Sequence, residues 1–269
     1  MRVSESLREV FFRALGYYPT SLNGVKFRCD PYHVSFWRKV SRGRWKPDTY
    51  KVLSKFLNPD SVYYDIGAWI GPTALFAANK CKQVVCFEPD PVAFQYLLWN
   101  ISLNALRNVL PINVALADRS ALMRMASFDK QLGDSMTSLL KTCSTEGATD
   151  VLALTWKEWL DLSEGEPPDF LKIDIEGGEF ALLPTLKEYL SVHRPVVYLS
   201  THAPFLKANE RREQMRKVIE VMEVYDSCLK ENLEPVAVTE LVGEDALEHF
   251  RSYVFLDRSA LSGSRPRGL

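Results

Sequence analysis

The sequence has few cysteines, no long apolar run and no excess of charge of either sign. Its five cysteines are an odd number and none form a CxxC pair, which argues against a disulfide framework and a structural zinc site. The formal net charge is −1, so we expect neither nucleic acid nor an anionic membrane as a main partner. Without a bilayer-spanning run or a signal-peptide core, we expect a soluble, cytoplasmic protein.

Strand-like and helical segments alternate from residue 61 onward. Strands are predicted over 61–66, 83–89, 108–116, 121–127, 170–175, 195–201, 234–242 and 251–258. Helices are predicted over 1–20, 47–57, 72–80, 91–105, 155–162, 179–190 and 209–231, with one or two short strands within 24–36 and a loop or insertion over 127–150. This alternation predicts a mostly parallel, doubly wound α/β sheet. Because no good helix separates the last two strands, we expect them to form an antiparallel hairpin at one edge.

The alternation also predicts the domain organisation. Residues 1–60 are expected to form an N-terminal cap of helices and short strands, residues 61–258 the main domain, and residues 259–269 a flexible tail. The basic residues within 38–46 are interpreted as a solvated helix and loop rather than as a nucleic-acid site.

The stretch VYYDIGAWIG, residues 62–71, has the form of a strand, a tight turn and a helix start. Gly67 allows a sharp turn and close approach of a ligand. Glu88 ends the next strand, about twenty residues later, where an acidic residue meets ribose hydroxyls in nucleotide-binding folds. The GxGxxG fingerprint of dinucleotide enzymes fails at Trp69, which favours a ligand without pyrophosphate, such as S-adenosylmethionine. A tight turn in another kind of α/β protein remains the competing interpretation.

Charged residues crowd the end of a second strand, in LKIDIEGGE over 171–179. A buried strand rarely carries alternating charge unless the groups are paired or used. Lys172 and Asp174 lie on the same face by the two-residue period of a strand. Glu176 and Glu179 follow. The cluster is either a structural ion pair with a helix-start charge, or part of a ligand site; its position at a strand end favours the site.

Several segments, in this order and spacing, resemble the FkbM family of S-adenosylmethionine-dependent methyltransferases. They are YYDIGAWIG, VVCFEPDP, LLWNISLN, NVALAD and FLKIDIEGGEFALL. The resemblance covers roughly residues 40–202 and implies a Rossmann-like class I methyltransferase fold. It also implies methyl transfer from S-adenosylmethionine, usually to a hydroxyl oxygen of a sugar or natural product. The cofactor-binding residues it implies are Asp65, Gly67, Ala68, Gly71, Glu88, Pro89 and Asp118, with Asp118 near the adenine.

The sequence departs from the family pattern at three places. Trp69 stands where the family has asparagine, Lys157 stands where it has an aspartate, and the segment after the fifth strand is YLSTHAPF. In that segment His202 takes the position that faces the predicted site.

Three residues are the candidates for catalysis: Lys172, Asp174 and His202. A hydroxyl acceptor must lose its proton, and histidine is the side chain most often used for this. Asp174 could serve instead if burial raised its pKa. A third alternative is a divalent metal ion held by Asp174, Glu176 and His202, which would lower the pKa of the acceptor directly.

These observations predict an O-methyltransferase acting on a small-molecule hydroxyl acceptor, a sugar or natural product. A non-catalytic protein that uses the same fold to bind a ligand or partner is the alternative, motivated by the change at Trp69. A nucleotide-dependent oxidoreductase is a weaker third interpretation.

Overall fold

The computed structural model describes residues 7–129, 131–140 and 146–262. The part before the central sheet contains helices and a two-stranded antiparallel sheet. In chain order these elements are α1 (Leu7–Leu15), β1 (Tyr18–Leu22), β2 (Val25–Cys29), α2 (Val34–Ser41) and α3 (Pro47–Phe56). Trp37 and Tyr50 from this part lie in the same apolar cluster as Tyr63 and Phe76 of the central layers. The N-terminal segment therefore packs against one face of the sheet.

The predicted N-terminal elements are partly corrected. Of the helix predicted over 1–20, residues 1–6 lie outside the described residues, and α1 ends at Leu15. Gly16 follows with φ 81°, and its amide donates to the carbonyl O of Phe12 at 3.0 Å, which closes the last turn in the conformation that glycine favours. The helix predicted over 47–57 is confirmed as α3, with Pro47 in its first turn.

The first half of the central sheet alternates strands and helices as predicted. Its elements are β3 (Val62–Ile66), α4 (Pro72–Ala78), β4 (Gln83–Phe87), α5 (Pro91–Leu103) and β5 (Val109–Ile112). All residues of β3 and α4 are buried, as expected for a parallel strand covered on both faces. The helix α5 begins where the side chain of Asp90 accepts from the amides of Val92 and Ala93, which caps its first turn.

A second, four-stranded sheet follows. It contains β6 (Ala115–Ala117), β7 (Ala121–Ser127), β8 (Thr137–Ser138) and β9 (Ala148–Thr155), in the order β6-β9-β7-β8. The strand predicted over 121–127 is confirmed as β7. The single strand predicted over 108–116 is wrong, because the chain leaves the central sheet after β5 and pairs β6 with β9.

The loop predicted over 127–150 is also corrected. It contains β8 and the beginning of β9, while residues 130 and 141–145 lie outside the described residues. The strand β9 alternates a buried Val151 and Ala153 with an exposed Asp150 and Leu152. This outward-facing leucine blurs the two-residue pattern that would have identified the strand.

The second half of the central sheet is confirmed through its fifth parallel strand. Its elements are α6 (Trp156–Leu162), β10 (Phe170–Ile173), α7 (Glu179–His193) and β11 (Val196–Thr201). The chain then continues with α8 (Ala208–Met222), β12 (Ser227–Lys230), α9 (Glu244–Glu248) and β13 (Arg251–Leu256).

Two predictions fail in this last part. The helix predicted over 209–231 ends at Met222, and Cys228 and Leu229 are instead buried in the strand β12. The strand predicted over 234–242 is reduced to one antiparallel bridge between Leu229 and Pro235, and Val238–Val242 is a 3-10 helix with Leu241 buried. Pro235, which has no amide hydrogen for a strand ladder, favours this irregular path.

The central sheet has the order β12-β13-β11-β10-β3-β4-β5. The strands β11, β10, β3, β4 and β5 are parallel, and β13 runs antiparallel between β11 and β12. The predicted antiparallel pair at one edge of the sheet is confirmed, but β13 pairs there with β12 and not with the predicted strand over 234–242. Of the predicted tail over 259–269, residues 263–269 lie outside the described residues, and a 3-10 helix spans Arg258–Ser262. Among the described helices, none is long and apolar enough to cross a membrane.

Candidate functional site

A cavity opens at the carboxyl ends of β3, β4 and β10, which we call the main cavity. Ligands of open α/β sheets bind at this edge. The predicted site residues that line it are Gly67, Ala68, Glu88, Pro89, Lys172, Asp174 and Glu176. The turn after β3, the end of β4 and the end of β10 therefore meet around one space, as the sequence predicted.

The glycine turn after β3 is required by the backbone of β10. Gly67 has φ 84°, and a Cβ on this residue would collide with the carbonyl O of Asp174. The amides of Gly67 and Ala68 both donate to the carbonyl O of Phe87, at 3.0 and 3.1 Å. Gly71, with φ 94°, begins α4 and does not line the main cavity. This turn therefore connects the ends of β3, β4 and β10 at the base of the main cavity.

Trp69 has a left-handed backbone, with φ 49°. Residues other than glycine and asparagine rarely adopt this conformation. Its indole Nε1 donates to the carbonyl O of Gly133 at 2.9 Å, and its ring meets the edge of Phe36 at a centroid distance of 4.5 Å. The indole thus connects the turn to α2 and to residues 131–140, and one side of it lines the main cavity.

Glu88 is a buried carboxylate at the edge of the main cavity. Its Oε2 accepts from the amide of Trp69 at 2.7 Å, and its Oε1 accepts from the amide of Asp90 at 2.8 Å. Burial raises the pKa of Glu88 to about 8, although these two amides oppose the change. Each oxygen keeps a further lone pair, so the carboxylate can accept from a ligand that donates two hydrogen bonds.

Asp65 lies beneath the turn rather than in the main cavity. Its Oδ1 accepts from Nζ of Lys172 at 2.8 Å, and its Oδ2 accepts from the hydroxyl of Thr73 at 2.6 Å. Lys172 also donates to the carbonyl O of Gly67 at 3.1 Å. In this structure the buried Asp65–Lys172 pair positions the glycine turn, and Lys172 reaches the wall of the main cavity.

Asp174 is held by a lysine that sequence reasoning missed. Nζ of Lys46, the residue before α3, donates to Oδ2 of Asp174 at 2.6 Å. Burial alone would raise the pKa of Asp174, but Lys46, Lys172 and His202 outweigh it and hold that pKa well below its usual range. Lys46 has φ 37° and lies far from Asp174 in the chain. The available signal was only the basic stretch over 38–46, which was interpreted as solvated.

His202 lies behind the main cavity, buried among carboxylates. Its Nε2 is 3.5 Å from Oδ1 of Asp174 and 3.4 Å from Oε2 of Glu176, and its Nδ1 is 3.2 Å from Oε1 of Glu179. Burial would lower the pKa of His202, but Glu179 and Glu176 outweigh it and raise that pKa to about 10. The imidazole is therefore positively charged at neutral pH in this arrangement, which does not favour a role as a free base.

Asp118 is not brought to the main cavity. Its half-exposed side chain, on the turn after β6, lies 3.7 Å from Nη1 of Arg119. Instead, three apolar side chains line the main cavity, and we call them the slot: Phe87, Leu116 of β6 and Met125 of β7. Sequence reasoning missed this slot because it depends on the second sheet.

Residues 131–140 form another wall that sequence reasoning missed. Asp90 receives hydrogen bonds on its Oδ2 from the amide of Gly133, at 2.7 Å, and from the hydroxyl of Thr137, at 3.1 Å. Thr137 and Asp134 both line the main cavity. The residue that caps α5 therefore also fastens this segment beside Glu88.

The chain resembles known methyltransferases in sequence. Hexuronic acid methyltransferase AglP of Haloferax volcanii is 29% identical over 147 residues, which are 55% of this chain and 58% of that protein. The tRNA (guanine(37)-N(1))-methyltransferase Trm5b of Pyrococcus abyssi is 30% identical over 90 residues, 34% of this chain and 26% of that protein. The chain thus spans less than two thirds of the length of either relative.

Solved structures with a related arrangement include the FkbM methyltransferase of Methylobacillus flagellatus, with a TM-score of 0.46 and 13% identity over 84% of this chain and 61% of that chain. TYW2 of M. jannaschii in complex with AdoMet gives a TM-score of 0.47 and 16% identity over 89% of this chain and 84% of that chain.

The family model of the methyltransferase FkbM domain matches residues 65–229. The match runs from the aspartate of the glycine turn to the strand β12 and takes in more than half of the chain. This chain belongs to the FkbM methyltransferase family, whose fold is that of the class I S-adenosylmethionine-dependent methyltransferases.

Proposed function

We propose that this chain is an S-adenosylmethionine-dependent methyltransferase that methylates a hydroxyl oxygen of a sugar or natural product. The observation that carries the proposal is the arrangement of the main cavity. The buried Glu88 carboxylate lies on one side of the glycine turn, and the acidic residues Asp174 and Glu176 lie at the other. The family match over residues 65–229 supports methyl transfer, the coarser part of the proposal.

The residues around the main cavity fit S-adenosylmethionine. The slot formed by Phe87, Leu116 and Met125 suits a flat apolar ring such as adenine. Glu88 is costly to bury as a carboxylate, and two ribose hydroxyls would offset that cost by donating to its free lone pairs. When bound, the cofactor supplies a methyl group made electrophilic by the sulfonium charge.

The chain's own residues act mainly by positioning. The Asp65–Lys172 pair fixes the glycine turn, and the Lys46 ammonium fixes Asp174. We place the acceptor oxygen on the side of the cavity that Asp174 and Glu176 line, with His202 behind them. Lys172, Asp174 and His202 remain the proposed catalytic residues. The proton of the acceptor hydroxyl passes to the carboxylate of Glu176, which lines the cavity. His202 supports the two carboxylates rather than taking the proton as a free base.

The acceptor class is the finer part of the proposal. One relative is named for hexuronic acid and another for a tRNA guanine. We favour a small hydroxyl acceptor because the chain carries a net charge of −1, whereas proteins that bind tRNA need basic residues for phosphate contacts.

Binding of S-adenosylmethionine tests the site. We expect Glu88→Ala to weaken binding, measured by isothermal titration calorimetry, by roughly 10- to 100-fold, since it removes a charged hydrogen-bond acceptor. The exposed Glu166 provides the control Glu166→Gln, which should bind as the unmodified chain does. Equal affinity of Glu88→Ala and the unmodified chain would contradict the assignment of the main cavity.

Release of S-adenosylhomocysteine tests the activity and the acceptor. The chain is supplied with hexuronic acid glycosides, other hydroxyl-bearing sugars and tRNA transcripts, and the product is quantified by mass spectrometry. We expect release with a sugar and none with tRNA. Release with tRNA alone would overturn the acceptor class, and binding without any turnover would favour a non-catalytic binding protein.

A further inference from the structure

We propose that Asp174, Glu176 and His202 form a binding site for one divalent metal ion at the acceptor end of the main cavity. The inference rests on the proposed function for its role, because the ion would hold the acceptor oxygen. Binding of the ion itself does not depend on methyl transfer and is tested without cofactor or acceptor.

The distances within the cluster fit ligands of a common ion. Asp174, Glu176 and His202 each offer one ligand atom, and these three atoms all lie within 4.8 Å of one another. The two separations from Nε2 of His202, 3.5 and 3.4 Å, are long for hydrogen bonds, which cluster near 2.9 Å. Two ligands that each bind a metal at about 2.0–2.2 Å lie roughly 3–3.5 Å apart.

Asp174 offers an oxygen that, among the described residues, accepts no hydrogen bond. This oxygen, Oδ1, is buried, and the side chain is only 10% exposed. Its other oxygen, Oδ2, is occupied by Lys46. A buried carboxylate oxygen without a hydrogen bond is costly, and this one faces the other two ligand atoms. A cation between them would satisfy it.

His202 is oriented as a metal ligand would be. Oε1 of Glu179 lies 3.2 Å from Nδ1 of His202, and it also accepts from the backbone amide of His202 at 2.7 Å. Oε2 of Glu179 is fixed by the amide of Gly177 at 2.8 Å. A carboxylate behind one ring nitrogen, with the other nitrogen directed at the ion, is the usual arrangement of metal-binding histidines.

The backbone of Glu176 is strained in a way that presents its side chain to the cluster. Its φ is 50°, which costs a non-glycine residue about 1–2 kcal/mol. Its carbonyl O accepts from the hydroxyl of Ser138 at 2.6 Å, so the conformation is held by the wall of the main cavity. Strain of this kind concentrates at functional sites.

Charge balance also supports a divalent cation. Four carboxylates and two ammoniums meet here, so two negative charges remain once the ion displaces the proton that the imidazole of His202 otherwise holds. The groups are Asp65, Asp174, Glu176 and Glu179 with Lys46 and Lys172. Two carboxylates and one imidazole suit Mn²⁺ and related first-row ions. Because Asp174 and Glu176 line the cavity, the remaining coordination positions face the acceptor, whose oxygen the ion would polarise.

Mn²⁺ is the probe for the test, with the chain alone in solution. Free Mn²⁺ is measured by electron paramagnetic resonance, and its coupling to a ligand nitrogen is measured by electron spin echo envelope modulation. We expect one Mn²⁺ per chain with a Kd below about 1 mM and a nitrogen coupling from His202. Glu176→Gln should weaken binding at least about tenfold, and His202→Ala should abolish the nitrogen coupling. Glu234→Gln, on an exposed turn, is the matched control and should leave both unchanged.

Each result of this experiment either supports or overturns the metal site. Absence of Mn²⁺ binding by the unmodified chain, or binding without nitrogen coupling, overturns the metal site even if a variant fails to fold. Mn²⁺ binding with nitrogen coupling, in a chain that does not bind S-adenosylmethionine, supports the metal site while the proposed function fails. A chain that binds S-adenosylmethionine but not Mn²⁺ supports the proposed cofactor site and overturns the metal site.

Discussion

Glu88 is an acidic residue whose burial costs the fold free energy. Its side chain is buried and, among the described residues, receives two backbone hydrogen bonds, from Trp69 and Asp90. Its position at the end of β4 followed from the sequence, because the offset from Gly67 is a property of the strand–helix–strand unit. The burial of Glu88, which raises its pKa, could not be predicted from the sequence. That burial depends on residues 131–140 and on Trp69.

Trp69 is the residue at which the sequence and the family pattern differ most. Its left-handed backbone explains why asparagine, which tolerates that conformation, suits the position in the family. The indole compensates through the contacts with Gly133 and Phe36. The sequence revealed the departure, but only the structure shows that the ring connects the turn to two other segments.

The pKa of Glu88 predicts a pH-dependent stability. Without a ligand, burial raises the pKa of Glu88 from its ordinary 4.5 to about 8, so the folded chain holds a proton there up to about that pH. Between these values the folded state binds a proton that the unfolded state has released, so the free energy of unfolding falls as pH rises. Glu88→Gln removes this dependence. As the pH rises from about 5 to about 8, we expect the free energy of unfolding of the variant to increase by roughly 2–4 kcal/mol relative to that of the unmodified chain.

Urea unfolding of both chains across that pH range measures this difference. The exposed Glu166→Gln serves as the control and should follow the unmodified chain at every pH. Parallel curves for Glu88→Gln and the unmodified chain would show that Glu88 is not protonated in the folded state.

At the scale of elements, the start of α3 and the segment 131–140 complete the main cavity. Lys46 reaches Asp174 from the residue before α3, and Asp90 at the start of α5 fastens Gly133 and Thr137. The helices themselves were predictable from proline at their first turn and from apolar spacing. Their contacts across the cavity were not, because a period in the sequence gives no partner for a distant side chain.

The contact between Lys46 and Asp174 predicts the effect of removing the lysine. Lys46→Met leaves the Asp174 carboxylate buried with less compensation. We expect the substitution to lower the free energy of unfolding by about 1–2 kcal/mol at pH 7. This is less than for a fully buried pair, because the lysine is about one-third exposed. Since the pKa of Asp174 is lowered in the folded state, its contribution is present above its unfolded pKa and is lost as the pH falls. The difference between the chains should therefore shrink in acid.

Lys51→Met is the matched control on the same helix. Lys51 is exposed and pairs only with Asp48 near the helix start in the described contacts, so its loss should cost less than about 0.5 kcal/mol. Thermal unfolding of the three chains at neutral and acidic pH makes the comparison. Equal destabilisation by the two substitutions would contradict a special role for Lys46.

For the whole molecule, the alternation of strands and helices was sufficient to predict the parallel layers from β3 to β11. It was not sufficient for the second sheet or for β12, where exposed leucines, a charged helix end and Pro235 obscure the period. The candidate site followed a similar division. Residues adjacent to strand ends, such as Glu88 and Asp174, were found from the sequence, whereas Lys46 and the slot of Leu116 and Met125 depend on tertiary contacts.

The central claim is that the main cavity holds S-adenosylmethionine, with Glu88 on the ribose. A crystal structure of the chain grown with S-adenosylhomocysteine tests it most directly. We predict ligand density at the carboxyl ends of β3 and β4, with the ribose hydroxyls donating to Glu88 and the adenine beside Leu116 and Met125. Density for the ligand elsewhere on the chain, or a main cavity left without it at saturating concentration, would contradict the account.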